Sequence, residues 1–550
     1  MTVRPRIAAL TLVLLLASFQ LSAQTAANPT TDPSFPHIDH SGAHPTLIVD
    51  GAPFLMLGAQ VNNSSAFASE MPKVWPVMDE LGVNTVEAPI YWEQLEPQQG
   101  QFDYSSIDML LTQARAHHVH LVLLWFGTWK NGSPGYAPAW IKQDQTRYPL
   151  STNAQGKQFF SLSPFGEHTL AADQTAFTAL MQHLKTADPE HTVILVQVEN
   201  ESGMWGNSRD HSPAAEKAFA APVPALVRQA MGTTATGDWT EVFGPDADEY
   251  FSAWAIAVYI NQVAAAGKAV DPLPMYVNAA LRDPSGKGGQ GSFESGAPVF
   301  DALPLWHALT PAIDAIAPDI YMPQYDKYMA VIHQYALPWN PFFIPETGNS
   351  RVFAHYFFAA LGAGAFGWSP FGMDRTGYVN YPLGAAAIDA ETLAPFALNY
   401  TLVAPMMREL ARLNGEGSVR GVAEPPDVHA QTIAFGPVQG KPAGWTAEVS
   451  YGLPAFYTTK PAPGNPEPEG EALIAQLGPD EFLVTGVHCR VDFHSTLAGP
   501  RQQRMWLRVE EGTFVEGKWQ TSRLWNGDQT DYGLNFTDQL QVLRVKLTRY

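Results

Sequence analysis

The sequence predicts a (β/α)8 barrel followed by a smaller all-β region. Three observations carry this. From about residue 50, short apolar runs alternate with longer amphipathic ones, as strands and helices do around a parallel sheet. The first run leads into Leu57-Gly58-Ala59-Gln60, which lacks the glycine fingerprint of an open doubly wound sheet. After about residue 414 the pattern changes to period two with frequent turn residues.

The apolar runs fall at 54–63, 83–92, 120–129, 192–201, 275–280, 315–323, 342–348 and 365–372. They match the eight strands of a closed barrel, with helix-like segments such as 104–117 and 173–185 between them. Residues 202–274 exceed a simple crossover and are expected to form an elaborated loop at the site. A helix over 393–413 is expected to end at Asn414-Gly415-Glu416-Gly417. Beyond it, Glu448-Val449-Ser450-Tyr451 and 504–509 read as strands, and the proline-rich 460–470 as an exposed loop. The domain expectation is a signal at 1–27, a barrel at 28–414 and a β domain at 415–550.

Composition narrows the function classes. A chain of 550 residues with 46% hydrophobic residues, 15 Trp and 29 Phe has the material for a large core. With 32 basic against 53 acidic residues, its net charge of −21 repels nucleic acid and anionic bilayers. Cys489 is the only cysteine and cannot close an intrachain disulfide or build a thiolate cluster. Arg4 and Arg6 precede an apolar run at 7–16 and small residues ending in Ala23 and Ala27, as in a cleaved export signal. That run is shorter than the roughly 20 apolar residues of a spanning helix. The expectation is a soluble exported protein, periplasmic or secreted, without membrane attachment after cleavage.

Barrel enzymes set reacting groups at the carboxyl ends of strands, where the loops converge. The fourth run ends in Glu199-Asn200-Glu201 and the seventh in Glu346. Side chains at these ends can face each other across the barrel mouth. Paired carboxylates about 5–5.5 Å apart cleave glycosidic bonds with retention, one attacking the anomeric carbon and one protonating the leaving oxygen. Glu201 is expected to be the acid/base, Glu346 the nucleophile, and Asn200 a ligand of the sugar 2-OH. The proton donor of such a pair needs desolvation or a neighbouring negative charge to hold its proton. Glu199 is read as structural, directed away from Glu201 by strand alternation.

Trp92, Trp125, Trp129, Trp205, Tyr321 and Trp368 recur at strand ends, where flat rings stack on sugars or pack into the core. Trp129, Trp205 and Trp368 are taken as sugar platforms, Asn63 as a ligand of a sugar hydroxyl, and Tyr321 as an orienter of Glu346. His117-His118-Val119-His120 precedes the third strand and is assigned to the opposite, stability face, so no metal site is expected there. Asp103 and Asp108 are read as helix-start acids that complement the helix dipole. No cofactor is expected, and the partner is an oligosaccharide substrate.

Several of these stretches resemble glycoside hydrolase family 35: Gln197-Val198-Glu199-Asn200-Glu201, Trp92-Glu93-Gln94-Leu95-Glu96-Pro97 followed by Gly100-Gln101-Phe102-Asp103, and Ile344-Pro345-Glu346. The resemblance spans about residues 50–400 and implies a retaining, exo-acting β-galactosidase. The tail resembles the β-sandwich attached to a bacterial branch of that family, which implies a sandwich for 415–550. That branch includes enzymes that strip galactose from plant xyloglucan, the substrate expected here. Another β-linked sugar, or carbohydrate binding without turnover, are the alternatives. The chain departs from the family at Pro89, Ser202 and Met204, and at Gly127-Thr128-Trp129-Lys130-Asn131, where Lys130 or Asn131 stands in for a missing acid.

Overall fold

The computed structural model describes residues 32–437, 444–452, 462–497 and 503–550. The expected signal at 1–27 and the start of the 460–470 loop lie outside the described residues.

Eight parallel strands close into a barrel: β1 (Met56–Gln60), β2 (Thr85–Tyr91), β3 (His120–Lys130), β4 (Val193–Asn200), β5 (Met275–Ala280), β6 (Ala315–Ile320), β7 (Ile344–Thr347) and β8 (Gly367–Pro370). Each lies within, or one residue beyond, one of the eight apolar runs. Parallel strands are covered on both faces, by barrel interior and by helices, so nearly every position must be apolar and the runs read as continuous. All seven residues of β2 and all eight of β4 are buried.

Helices at Met71–Leu81, Ser105–Ala116, Glu167–Ala187, Ala247–Lys268, Leu303–Leu309 and Tyr325–Tyr335 lie in the successive crossovers, and Phe357–Gly362 connects β7 to β8. The long β4–β5 connection is largely helical. Pro213–Phe219, Ala225–Ala230 and Trp239–Phe243 precede the 22-residue crossover helix, and a capping box of Asp238 and Glu241 starts the third of them. The single helix expected at 393–413 is two, Ala390–Val403 and Met407–Gly415, joined by a 3-10 turn at Ala404–Met406. Pro405 lacks the amide that an unbroken helix requires there.

After the second of these helices come two antiparallel sheets. One has six strands in the order Val419–Ala423, Glu471–Gly478, Glu481–Val487, Val542–Arg549, Arg504–Val515 and Lys518–Leu524. The other has four: Ala430–Ala434, Trp445–Tyr451, Cys489–Ser495 and Leu534–Phe536. Trp445, Val449, Ile474, Phe482, Val491 and Phe493 from the two sheets fill a core between them, which makes a sandwich. Leu473, Ala475 and Leu483 point the other way and join the barrel core, so the six-stranded sheet packs against the barrel. At that junction Gly362 and Gly421 meet backbone to backbone: a Cβ on Gly421 would lie 1.6 Å from the Phe358 carbonyl oxygen. Only residues without a side chain allow this approach. Among the described residues, no helix is long and apolar enough to cross a membrane.

Candidate active site

Glu201 follows the last residue of β4, Glu346 lies within β7, and Asp319 lies near the end of β6, paired in register with Glu346. Carboxylate oxygens of all three fall within 4.8 Å of one another, and the residues are only 4%, 4% and 2% exposed. The Glu201–Glu346 approach is close to the separation of a retaining pair.

Each carboxylate is held. Glu346 accepts from the Tyr321 hydroxyl at 2.5 Å and from the Gln60 amide at 3.0 Å. Glu201 accepts from the Asn131 amide, and the Lys130 ammonium stands 3.7 Å away. Both strand-three residues that depart from the family pattern therefore reach Glu201. Asn278, on β5, ties two of the acids together: its Oδ1 accepts the Glu201 backbone amide at 3.0 Å, and its Nδ2 donates to Asp319 at 2.7 Å. The other Asp319 oxygen has no hydrogen-bond partner.

Three buried carboxylates face one ammonium, so the cluster resists full ionisation. Burial first, then the Glu201 charge, push Glu346 up to about 7, against the opposing effects of Lys130, Tyr321 and Gln60. Burial, then the charges of Glu346 and Glu201, push Asp319 well above the carboxylate range. Asp319 thus holds its proton more tightly than an ordinary carboxyl. Glu294, buried behind Glu201 and accepting the Ala280 amide at 3.1 Å, is pushed well up by burial and then by the Glu201 charge. The three oxygen donors have the chemistry to hold a hard divalent cation, yet Lys130 already supplies positive charge among them.

The motif at the end of β4 is bent. Glu199 and Glu201 both carry left-handed backbone, with φ of 62° and 46°, a conformation uncommon outside glycine. Glu199 points away from the cluster and accepts the Thr128 and Trp129 amides at 3.1 and 2.6 Å. Alternation is not the reason, because residues two apart in a regular strand share a face. The two left-handed residues separate them. Gly127 leaves room for Glu199: a Cβ there would lie 2.7 Å from its carboxylate. Between them Asn200 is wholly buried, and neither atom of its amide has a protein partner.

The other expected site residues divide. Tyr321 lies where the strand order places it, on Glu346. Asn63 has a buried, unpartnered Oδ1 and accepts the Tyr136 hydroxyl with its backbone carbonyl. Trp205 is 44% exposed, open to a ligand. Trp129 and Trp368 are corrected: both are fully buried, with their indole N–H groups donated to the Leu162 carbonyl and the Tyr328 hydroxyl. They are core residues with no face open to a sugar. Trp92 and Trp125 are buried in the same way, bound to Glu96 and Asp173. His117 stacks on Trp75 and bonds Asp79, and His120 opens β3 at the end of the barrel away from the acids. Asp103 accepts the Ser105 amide at a helix start, and Asp108 bonds His183. Gln60, Asn278, Asp319 and Glu294 were not anticipated, although Gln60 and Asp319 stand at or next to strand ends as Glu201 does.

Residues 46–265 match the family model described as Glycosyl hydrolases family 35. The matched segment is similar to that family over 220 of the 550 residues. It contains Glu201 and Lys130 and stops short of Glu346, so the family match is shorter than the resemblance over 50–400 and the place of Glu346 rests on geometry. Residues 396–537 match a domain of unknown function. A β-galactosidase of Xanthomonas manihotis is 28% identical over 201 residues, 35% of this chain and 30% of the relative. Beta-galactosidase 11 of Arabidopsis thaliana is 26% identical over 28% of this chain and 18% of its own length. The chain thus spans less than a third of these curated relatives. The solved β-galactosidase of Marinomonas ef1 aligns over 65% of this chain and 61% of its own, at 12% identity and a TM-score of 0.49.

Proposed function

We propose that this chain is a retaining exo-β-galactosidase that releases terminal β-D-galactosyl residues by double displacement. The observation that carries the reading is the buried Glu201–Glu346 pair, with carboxylate oxygens within 4.8 Å and Glu346 anchored by Tyr321 and Gln60. The family 35 segment and the β-galactosidase names of the curated relatives support the choice of sugar.

Glu346 attacks the anomeric carbon while protonated Glu201 delivers its proton to the leaving oxygen. The hydroxyl of Tyr321 and the amide of Gln60 fix the attacking carboxylate. The glycosyl ester carries no charge on Glu346, and Glu201, having given its proton to the leaving group, takes one from the water that attacks the ester. Asn200, with both amide atoms free of protein partners, is placed in the sequence next to the acid/base to bind a sugar hydroxyl that gains charge in the transition state. The finer parts of the proposal are export directed by residues 1–27, to the periplasm or beyond, and galactosylated xyloglucan as the substrate.

An aryl β-galactoside assay tests the chemistry. Glu201→Ala is expected to lose ~10²–10⁴-fold in kcat on poorly activated leaving groups, and Glu346→Ala at least as much. Azide should restore product with inverted configuration to the Glu346→Ala variant and with retained configuration to Glu201→Ala. Equal, unrescued loss in both removes the role assignment. Comparing galactosylated xyloglucan fragments with lactose and pectic galactan tests the substrate.

A further inference from the structure

A cavity of about 1030 Å³ lies outside the carboxylate cluster, where the barrel meets the C-terminal sandwich. One wall comes from the segments that follow β6 and β7, at residues 323–326 and 351–356, and from the helix Ala390–Val403. The other comes from the sandwich, including Glu424, Glu471 and His488. Tyr321 and Glu346 stand a few residues upstream in the first two segments, so the cavity adjoins the catalytic rim along the chain.

Its lining is built of polar groups that the protein leaves unsatisfied. His355 is 4% exposed and neither ring nitrogen is in hydrogen-bond geometry with a protein group, the Val352 backbone lying near but outside it. Asn399 is 2% exposed; its Nδ2 donates to the Ala354 carbonyl at 3.0 Å, the Glu471 carboxyl stands beside its amide, and its Oδ1 is in hydrogen-bond geometry with no protein group. A buried polar atom without a partner is destabilising, so both residues favour a bound group in the cavity that supplies one. Glu471, also in the lining, accepts the Phe358 amide at 3.4 Å, and burial pushes its carboxyl up to about 8. Tyr325, partly exposed, supplies ring surface.

Charge sets the ligand class. Acids outnumber bases in the lining, and two of the bases are already engaged: Arg351 with Glu391 at 3.1 Å, His488 with Glu469 at 2.7 Å. An anion is repelled. Among the described residues the one grouping of metal-ligand side chains is the catalytic cluster, which gives no reason to place a cation here. A neutral molecule rich in hydroxyls matches unpaired donors and acceptors beside aromatic rings, and the volume is at the upper end of small-ligand sites.

We propose that this cleft is a second binding site, for a neutral oligosaccharide segment remote from the sugar being released. That the ligand is a sugar rests on the glycosidase reading; the size and charge of the cleft do not.

The test is calorimetric titration of the full chain with a galactose-free xyloglucan oligosaccharide, with free galactose present at saturation to occupy the catalytic site. One molecule is expected to bind per chain, undisturbed by galactose. Val352→Trp fills the mouth from a residue that is 42% exposed, so folding is spared, and should weaken binding about tenfold or more. Asn399→Leu, which removes a buried polar group from the helix Ala390–Val403 in the same wall, should do the same. Aryl galactosidase activity of Val352→Trp should equal that of the wild type. Absence of binding, displacement of the probe by galactose, or unchanged affinity in Val352→Trp overturns the proposal. Inactivity on every β-galactoside would defeat the catalytic reading and leave this binding result standing.

Discussion

Among single residues, Asp319 and Tyr321 separate two ways of controlling one carboxylate. In the proposed double displacement Glu346 must ionise to attack, and burial with the Glu201 charge pushes it up to about 7. Its ionisation should set the acidic limb of kcat/KM, as an apparent value belonging to the cluster. Tyr321 donates to the anionic form, so Tyr321→Phe withdraws stabilisation from the charged state and raises that limb. A hydrogen bond to a charged group is worth about 1.5–3 kcal/mol, which corresponds to about 1–2 pH units. Burial and the neighbouring charges disfavour the ionised form of Asp319, so Asp319→Asn, which cannot ionise and can still accept from Asn278, should move the limb little. A downward move of the limb in Asp319→Asn would mean that Asp319 is ionised, contrary to its burial between two other acids. These residues also mark how far the sequence could be read. Glu201 and Glu346 are visible as acids at strand ends, and Tyr321 as the neighbour of strand seven. Asp319 and Gln60 obey the same strand-end rule, yet a search for one pair of carboxylates passes over a third acid and an amide. Trp129 and Trp368 show the opposite failure: a tryptophan at a strand end looks the same whether its ring enters the mouth or the core, and only the phase of the pleat decides.

For the elements, the end of β4 is the part whose local conformation does most for the site. Two left-handed residues aim Glu199 at the amides of the β3 extension and Glu201 at the cluster. Lys130 and Asn131, which hold Glu201, directly follow those amides in the chain. Glu199 is therefore a positioning residue for Glu201. Glu199→Ala leaves two buried amides unpaired, at about 1–3 kcal/mol each. Glu199→Gln keeps one acceptor and should fall between it and the wild type. Thermal unfolding should rank wild type, Gln and Ala in that order, and kcat should fall in parallel with little change in KM if binding of the sugar is spared. Equal stability of the Gln and Ala variants would remove this role. The strands themselves were legible because burial on both faces writes each as an apolar run, and barrel closure then places their ends. The three helices between 213 and 243 were less so: they are short, although the Ser212-Pro213 start and the Asp238 to Glu241 box are local signals. Pro405 marks the break, but Pro395 lies inside the helix Ala390–Val403 without ending it, so a missing amide alone does not locate a break. The contacts of Asn278 were not, because they join β4, β5 and β6 across the closed barrel and leave no local pattern.

Across the whole molecule, buried acids pushed upward recur far from one another, and together they set the pH dependence of stability. Burial raises Glu87 inside the barrel, Glu249 on the long crossover helix and Glu471 at the sandwich junction to about 8, in addition to Glu346 at about 7. Such a group binds its proton more tightly folded than unfolded. Between its unfolded value of 4.5 and its folded value, the native state holds more protons, so stability falls as pH rises through that window. This is the reverse of the salt-bridged carboxylate. Raising one such acid by a single pH unit on folding is worth about 1.4 kcal/mol, and several groups share the effect. The net charge of −21 adds self-repulsion in the same direction as further protons are lost. Calorimetry from about pH 5 to about pH 8 should therefore show Tm declining steadily, against the plateau common for proteins in that range. Added salt should recover the part due to surface repulsion and leave the part due to the buried acids, which are poorly screened. Glu87→Gln, which keeps an acceptor for the Tyr276 hydroxyl and cannot ionise, should flatten the decline without salt. A Tm that is constant or rises over this window would show that these acids are hydrated or paired in the native protein, and that the barrel interior and the sandwich junction are wetter than their burial implies.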